Sequence, residues 1–296
     1  MFGIFRKKEV RKAAGTLAVG CGGGGCNIVN RLGKISVVDI LTVNTDRKGL
    51  VRSRSNRRIL LGDGSGDGCG GDVEMGGSLT RDASDMIGEN IRRHLNIVLM
   101  VGLGGGTGTG SAKVIAEIAK RNGSRVITMA TLPMAFEAAR RKIALDALNP
   151  IKDVSDIMIT IDGDRLIRID PELGAREAFS VLDQMVCESF LGLMEMLEGS
   201  GGESVFAAMK GKMHTVSFAE GMNAGKIAKD LVTGTMFDSE TVSRPLIFVR
   251  GNMPQDSEEI IRDSVSGSTG FEPTFIRGPS GPGMNAVMFV PVSVPS

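Results

Sequence analysis

The sequence predicts an α/β fold with a largely parallel sheet, followed by a smaller α+β region. Three observations carry this. Apolar runs that read as buried strands alternate with segments of helical spacing over the first half of the chain. Two of those strands end in glycine-rich turns that lead straight into helices. A long amphipathic pattern from Pro171 to Leu197 then separates this alternation from a stretch of different character.

The strongest strand–turn–helix unit is Ile97-Val98-Leu99-Met100-Val101, then Gly102-Leu103-Gly104-Gly105-Gly106-Thr107-Gly108-Thr109-Gly110, then a helix from Lys113 to Lys120. Glycines let a backbone approach a ligand closely, and the first turn of a helix offers unpaired N–H groups and a positive dipole end. Thr107 and Thr109 add hydroxyl groups. The unit reads as a phosphate cradle. It lacks the Gly-Lys-Ser/Thr ending of a P-loop and the spacing of a dinucleotide fingerprint.

Composition narrows the alternatives. The 296 residues are enough for two domains or one large one, and 42% hydrophobic with 23% charged residues suits an ordinary globular core. Trp and Tyr are absent, which argues against a stacking platform for nucleic acid. The 17 Met fill core space in place of aromatics. A net charge of +1 excludes a strong overall field. Cys21, Cys26, Cys69 and Cys187 form no CxxC pair, which argues against structural zinc. Three of them sit in glycine loops, as small residues of a reducing cytosol or as a redox-sensitive feature. With only His94 and His214, a histidine metal cluster is not expected. Neither a membrane span nor a secretory signal is recognisable, and a cytoplasmic location is expected.

Taken in order, residues 1–14 form a basic arm. Phe2 and Phe5 beside Arg6, Lys7, Lys8, Arg11 and Lys12 could touch an acidic membrane or partner, or simply form a solvated helix. Thr16 to Val19 reads as a strand running into Gly20-Cys21-Gly22-Gly23-Gly24-Gly25-Cys26-Asn27 and a helix to Leu32. Two phosphate-facing turns suit a nucleoside di- or triphosphate. Ile40 to Val43 is a strand ending in Asn44-Thr45-Asp46, where an open α/β sheet meets its ligand. The basic run Arg47, Lys48, Arg52, Arg54, Arg57 and Arg58 reads as a solvated surface or a polyanion site.

A glycine-rich loop from Gly62 to Glu74 is long for a connection and predicts a functional lid. Its Asp spacing does not complete a calcium loop. Residues 79–94 predict one helix. Val126 to Leu132 is a strand, Phe136 to Leu148 a helix, and Ile157 to Ile161 a strand ending in Asp162-Gly163-Asp164. Past Gly199, strands are expected at 213–219, 245–249, 271–276 and 285–290. Helices are expected near 204–211, 224–231 and 256–265.

The Gly-Gly-Gly-Thr-Gly-Thr-Gly stretch from Gly104 to Gly110 resembles the signature of the tubulin and FtsZ superfamily. The resemblance is closer to FtsZ. The first glycine loop with Asn27, Asn44-Thr45-Asp46, Gly68-Cys69-Gly70-Gly71-Asp72-Val73-Glu74 and Pro133-Met134-Ala135-Phe136-Glu137 all look like FtsZ loops in the same order. It covers residues 15–197 well and the rest loosely. It implies a GTP-binding domain at 15–170, a long central helix at 171–198 and a smaller α+β domain at 199–296.

The resemblance further implies GTP or GDP with Mg2+ as ligands. Gly22, Gly23 and Asn27 belong to the first phosphate loop, with Asn44 and Asp46 on the loop that follows. Gly70 and Gly71 lie toward the γ-phosphate, and Gly104, Gly105, Gly106, Thr107, Gly108, Thr109 and Gly110 cradle the phosphates. Glu137 and Arg141 match ribose-holding positions, and Phe179 matches the aromatic beside guanine.

Two departures bear on the base. The family's Asn before Asp164 is Gly163. The guanine-reading Asp is expected five residues after Phe179, where Gln184 stands, with Asp183 as its adjacent substitute.

A third departure bears on hydrolysis. The family's Asn-x-Asp-Phe-Ala-Asp loop enters the GTP site of the next subunit, and its acids position the attacking water. Here the stretch is Glu198-Gly199-Ser200-Gly201-Gly202-Glu203-Ser204, with the acidic positions on Gly201 and Ser204. Glu203 is the candidate catalytic acid that remains. The expectation is a self-assembling, nucleotide-dependent GTPase with weak hydrolysis; the alternative is a non-hydrolysing GTP- or GDP-binding scaffold or dimer. No counterpart of the family's adaptor-binding tail precedes Ser296, so weaker recruitment to a division ring is expected. No nucleic-acid partner is expected.

Overall fold

A computed structural model of the chain describes residues 12–63, 65, 66, 68–280 and 284–294. The basic arm, as far as Arg11, lies outside the described residues, as do Gly64 and Asp67 of the long glycine-rich loop. The chain divides between Cys187 and Glu188 into two compact units.

The first unit contains β1 (Lys12–Cys21), α1 (Gly22–Leu32), β2 (Val37–Asn44), α2 (Arg47–Val51), β3 (Arg57–Leu60), α3 (Val73–Asp82) and α4 (Ser84–Ile91). It continues with β4 (Asn96–Gly102), α5 (Gly106–Arg121), β5 (Arg125–Leu132), α6 (Ala138–Lys152), β6 (Ile157–Asp162) and α7 (Gly163–Ile169). Helix α8 (Ala175–Glu198) begins in this unit and crosses the division.

The six strands are parallel in the order β3-β2-β1-β4-β5-β6. The chain winds outward from β1 through β2 to β3, then returns on the other side of β1 as β4. The carboxyl ends of β1 and β4 therefore form a topological switch point, the place where open α/β sheets hold ligands. Their register pairs Gly20 with Met100 and Cys21 with Val101, so both strands stop at one level and their glycine turns emerge side by side.

Both strands are near-continuous apolar runs rather than alternating ones, because a parallel sheet is buried on both faces. Leu17, Ala18, Val19 and all five residues from Ile97 to Val101 are fully buried, with α1 and α5 packed against them. Each large side chain among them contributes about 1.5–3 kcal/mol by leaving water. That sum exceeds any single turn hydrogen bond, so the turns ride on a rigid platform.

The structure departs from the expected elements in several places. The helix expected at 79–94 is two helices joined at Ala83, where the Ser84 hydroxyl donates to the Arg81 carbonyl. Such local side-chain bonds compete with the helical ladder. The first of the two starts earlier, at Val73, because the Asp72 carboxylate accepts from the Met75 N–H at 2.9 Å. The predicted lid loop therefore ends in a capped helix. Helices α2 and α7 were not anticipated. Each is short and capped by an aspartate at a strand end, Asp46 and Asp162.

The second unit holds the rest of α8, then α9 (Gly202–Met209), β7 (Lys212–Gly221), α10 (Ala224–Thr233), β8 (Leu246–Gly251), α11 (Gln255–Thr269), β9 (Thr274–Arg277) and β10 (Met284–Val292). Its strands lie in the order β7-β10-β8-β9. β10 is antiparallel to both neighbours, while β8 and β9 are parallel and joined through α11. A parallel pair needs such a crossover, whereas antiparallel strands do not. Met213, Val216, Ile247, Val287 and Phe289 form its buried centre.

Candidate functional site

The two glycine turns touch backbone to backbone. A Cβ on Gly22 would lie 2.7 Å from the Gly108 nitrogen, and one on Gly108 would lie 3.2 Å from the Cys21 oxygen. Gly22 also has φ +67°, a conformation that costs a side chain about 1–2 kcal/mol. Helix α3 closes the cradle from a third direction. A Cβ on Gly106 would lie 2.6 Å from the Asp72 oxygen, and one on Gly110 2.2 Å from the Val73 oxygen.

Neither α1 nor α5 has a side-chain N-cap, whereas the nearby α2, α3 and α7 are capped by Asp46, Asp72 and Asp162. The first turns of α1 (Gly22, Gly23) and α5 (Gly106, Thr107, Gly108) thus have no side-chain acceptor from their N-cap residues, the arrangement in which helix N–H groups can serve an outside acceptor. Two positive helix ends meeting at one point suit an anion of more than one charge.

The hydroxyl groups divide between two tasks. Thr109 is buried, and its oxygen accepts from the Gly104 N–H at 2.9 Å, so it shapes the turn from within. Thr107 and Thr45 bring their oxygens to 2.6 Å of each other. The Cys69 sulfur lies 3.5 Å from the Thr45 oxygen and 3.6 Å from that of Thr107. This contact joins the loops after β2, before α3 and at the start of α5. Gly70 and Gly71 follow Cys69 at the exposed rim. Cys69 and Thr45 were not among the expected site residues; their only sequence signal was a place inside family-like loops.

Around Asn44, the side-chain oxygen accepts from the Asp46 N–H at 3.3 Å. Its amide nitrogen is buried without a partner among the described residues. A donor left in that state costs about 1–3 kcal/mol, so the site tolerates a local expense.

The cysteines of the first turn are inert packing groups. Burial is the main cause that pushes the thiols of Cys21 and Cys26 up to about 12, with Cys26 beside Cys21 and Asp46 near Cys26 adding to it. At neutral pH neither is a thiolate, and the thiolate is the reactive form.

The far wall comes from β5–α6 and β6–α7. Glu137 stands at the N-cap position of α6 and pairs with Arg140. Arg141 donates to both oxygens of Asp162, at 2.7 Å each, and to the Pro133 carbonyl at 2.7 Å. The Asp162 hydrogen bond raises the Arg141 guanidinium further above its ordinary value. Asp162 is 3% exposed and was not among the expected site residues. Asp164 accepts from the Ala135 N–H and from Arg168.

On α8, helical geometry sets which of the expected residues share a face. Phe179 and Asp183 are one turn apart and share a face. Gln184, five residues on, is turned away: its side-chain oxygen accepts from Arg31 Nη2 at 3.0 Å, while Arg31 Nη1 donates to Ser180 at 3.1 Å. Gln184 thus ties α8 to α1, and Asp183 is the carboxylate one turn from Phe179. Phe179 is 46% exposed, a large apolar ring left open to solvent. Desolvation raises Asp183 to about 6, against the opposing charge of Arg31. Asn27 lies on α1 and is exposed.

Glu203 sits in the first turn of α9, exposed, in the second unit. A separate polar cleft of about 440 Å³ lies in the first unit, lined by Asp39, Arg57, Glu89, Arg92, Arg93 and His94 among others. It is at the amino ends of β1, β2 and β4, opposite the glycine turns. Its charges are largely paired: Asp39 Oδ2 meets His94 and Arg57, and Arg92 meets Glu89. Among the described residues, no three His, Cys, Asp or Glu side chains converge as a metal site, and no helix is long and apolar enough to cross a membrane.

The chain resembles proteins of known identity. It is 35% identical over 185 residues to the cell division protein FtsZ 2 of Methanocaldococcus jannaschii, covering 61% of this chain and 49% of that protein. It thus spans about half the length of the curated relatives it matches. A solved M. jannaschii FtsZ W319Y mutant superposes with a TM-score of 0.82 at 27% identity, over 96% of this chain and 92% of that one. An empty M. jannaschii FtsZ dimer gives 0.79 at 26%, over 98% and 90%. Residues 16–171, more than half of the chain, match the GTPase domain of the Tubulin/FtsZ family. With both glycine turns of that domain meeting at the β1–β4 switch point, this chain belongs to the tubulin/FtsZ family.

Proposed function

We propose that the chain binds GTP or GDP in its first unit and assembles with copies of itself in a nucleotide-dependent way, hydrolysing GTP slowly. The carrying observation is the convergence of two uncapped helix N-termini, α1 and α5, across the Gly22–Gly108 contact. In this reading the first-turn N–H groups of both helices hold the phosphate chain, and Gly70 and Gly71 border its outer end. Phe179 offers its face to the base, and the Asp183 carboxylate accepts the two N–H groups of guanine's edge. Glu137 faces the ribose.

Mg2+ accompanies nucleotide phosphates and neutralises charge that builds on them. The chain offers it hydroxyl oxygens, Thr45 and Thr107, and no cluster of carboxylates among the described residues. That donor set suits a hard cation that keeps phosphate and water oxygens as most of its ligands.

Self-assembly is supported by the dimer formed by the M. jannaschii FtsZ relative. Slow hydrolysis is supported by the stretch before α9, where Gly201 and Ser204 carry no carboxylate and Glu203 is the nearest acid. Positioning dominates phosphoryl transfer, and a long Glu side chain beside glycines holds water less firmly than a fixed Asp. The same stretch supports the second reading, a scaffold that keeps its nucleotide uncleaved.

The test is the nucleotide content of the purified protein, followed by phosphate release from GTP for the wild type and Glu203→Ala. Release that falls at least tenfold in the variant supports a GTPase with Glu203 as its acid. Co-purified nucleotide without release supports the scaffold. Sedimentation in GTP against GDP tests assembly, and identical monomer profiles in both would reject it.

A further inference from the structure

β3 is the last strand on its side of the sheet, and no strand pairs with its outer edge among the described residues. The chain reaches it through residues 47–58, which hold six cations and no acid. All six are exposed, but they differ in what they touch. Arg47 lies against the long glycine-rich loop, its N–H donating to the Gly66 carbonyl at 3.1 Å. Arg57 meets Asp39 at 3.5 Å. Arg58 folds back on its own loop, donating from Nε to the Ser55 carbonyl at 2.8 Å and from Nη2 to the Ser53 carbonyl at 2.6 Å. The side chains of Lys48, Arg52 and Arg54 make no hydrogen bond or ion pair among the described residues. The nearby acids Asp46 and Asp39 are engaged elsewhere. Asp46 accepts the Lys48 N–H at 2.8 Å and caps α2, while Asp39 holds Arg57 and His94.

The loop that carries these cations is held stiffly. Ser53 and Ser55 are 3% and 4% exposed, while Arg52 and Arg54 between and beside them face solvent. Asn30 Oδ1, in the last turn of α1, accepts from the Arg54 N–H at 2.8 Å and from the Ser53 hydroxyl at 3.3 Å. The Ser55 hydroxyl reaches the Ile40 carbonyl of β2 at 2.7 Å. A loop that only solvated its charges would have no reason to bury both serines. Fixing its backbone on folding lowers what must be ordered when a partner binds. Val51, the last residue of α2, is 68% exposed beside Arg52.

The kind of partner follows from how these groups are spread. The polar cleft described above takes in Arg57 but not Lys48, Arg52 or Arg54. Those three sit on open surface rather than around a small anion. No aromatic residue lies in 47–58, so a nucleobase has nothing to stack on. Exposed cations beside one exposed aliphatic side chain suit an extended anionic layer, which takes the charges at its phosphates and the aliphatic group at its interface.

We propose that this edge, through Lys48, Arg52 and Arg54 with Val51 among them, is a contact for an anionic phospholipid surface. The attraction acts over about 8–10 Å at physiological salt, so it needs the cations exposed but no shaped pocket. One copy makes the contact without nucleotide, so it stands or falls apart from the reading given above. Copies joined in an assembly would bind the same surface together and gain avidity.

The experiment is co-sedimentation of the full chain with vesicles of phosphatidylcholine alone and of phosphatidylcholine with phosphatidylglycerol. Four proteins are compared: wild type, Lys48→Gln/Arg52→Gln/Arg54→Gln, Arg52→Lys/Arg54→Lys, and Lys7→Gln/Lys8→Gln/Arg11→Gln in the basic arm. Wild type is expected to sediment with the anionic vesicles only, and to be released by high salt. Each cation near such a surface is worth about fivefold, so the Lys48 triple variant is expected to bind on the order of a hundredfold more weakly. Arg52→Lys/Arg54→Lys keeps the charge and is expected to stay within about twofold of wild type. The Lys48 triple variant should melt like wild type, because its altered side chains are exposed and unbonded among the described residues.

Wild-type binding by the Lys48 triple variant would overturn the proposal. So would an equal loss in the arm variant, which would mark a general effect of charge rather than this edge. A large loss in Arg52→Lys/Arg54→Lys would overturn the lipid assignment in favour of an acidic protein that needs the arginine fork.

Discussion

Arg141 and Asp162 face each other as two parallel hydrogen bonds of 2.7 Å, fork to fork, at the base of the candidate ribose wall. Asp162 also accepts from the Asp164 N–H at 2.9 Å and so starts α7. One carboxylate thus fixes the first turn of α6 and the first turn of α7. Its side chain is only 5% exposed. A buried pair is weak evidence of net stability, but breaking it from one side leaves an uncompensated charge.

Arg141→Ala is therefore expected to destabilise the protein by about 3 kcal/mol, near the lower end for a buried pair because Arg141 is partly exposed. Denaturant melts would read this as a lower midpoint with an unchanged slope. Asp162→Asn should cost less, since the amide can still cap α7 and accept one bond from Arg141. Equal losses from the two substitutions would show that the hydrogen bonds the amide keeps contribute little beside the charge.

Asp183 makes stability and ligand binding depend on pH in opposite directions. Its folded value, about 6, lies above the ordinary carboxylate range because burial disfavours the charged form. The folded state therefore binds the proton more tightly than the unfolded chain does. The associated stability is full below about pH 4 and is lost as pH rises through about 6. A shift of this size corresponds to at most about 3 kcal/mol. Asp183→Asn is expected to stabilise the unliganded protein at pH 7, by up to that amount, and to flatten this part of the pH profile. Guanine's N–H groups need the carboxylate, so wild-type affinity for GTP should rise between pH 5 and 7 with release of a proton, and Asp183→Asn should lose that rise. Equal pH dependence in both proteins would show that Asp183 does not read the base.

The cysteines give a simpler outcome. All four are buried, and none is in a disulfide among the described residues. With Cys21 and Cys26 raised to about 12, the thiolate fraction at pH 8 is about one in ten thousand, against about a quarter for an ordinary cysteine. Native protein is expected to resist iodoacetamide at both positions for hours and to react fully in denaturant. Mass spectrometry of the peptide around Cys21 and Cys26 would check it. Rapid labelling in the native state would restore the redox-sensitive reading of this turn.

Much of this arrangement was legible from residue order. The parallel sheet followed from apolar runs such as Ile97–Val101, which are buried on both faces and so carry a strong signal. The two glycine turns were legible because the backbone contact at Gly22 and Gly108 admits no side chain. What escaped depends on pairs distant in sequence. Asp162 reads as an ordinary strand-end acid until α6 brings Arg141 to it, and Cys69 reads as a loop residue until it meets Thr45 and Thr107. The break at Ala83 rests on one hydroxyl–carbonyl bond that apolar periodicity does not encode. On a helix the neighbour of Phe179 is four residues away, at Asp183, and the bond from Arg31 of α1 to Gln184 is a pairing distant in sequence that residue order does not show.

Gly22 offers the sharpest separation of folding from binding. A methyl group there meets the Gly108 nitrogen at 2.7 Å and the Gly108 Cα at 2.9 Å, and the residue must hold φ +67°. Neither contact is with a flexible side chain, so the two turns must move apart. The conformational penalty alone is about 1–2 kcal/mol, and displacement of packed backbone adds to it. Gly23, its neighbour, has nothing within 4 Å of its Cβ position. Gly22→Ala is expected to lower stability by about 2–3 kcal/mol and to abolish nucleotide binding, because the α1 and α5 N-termini no longer converge. Gly23→Ala should melt like the wild type while weakening GTP through the methyl group it puts at the mouth of the cradle. Paired melting and calorimetry on the two variants would check this. Undiminished GTP affinity in Gly22→Ala would show that the contact between the turns is not what forms the site.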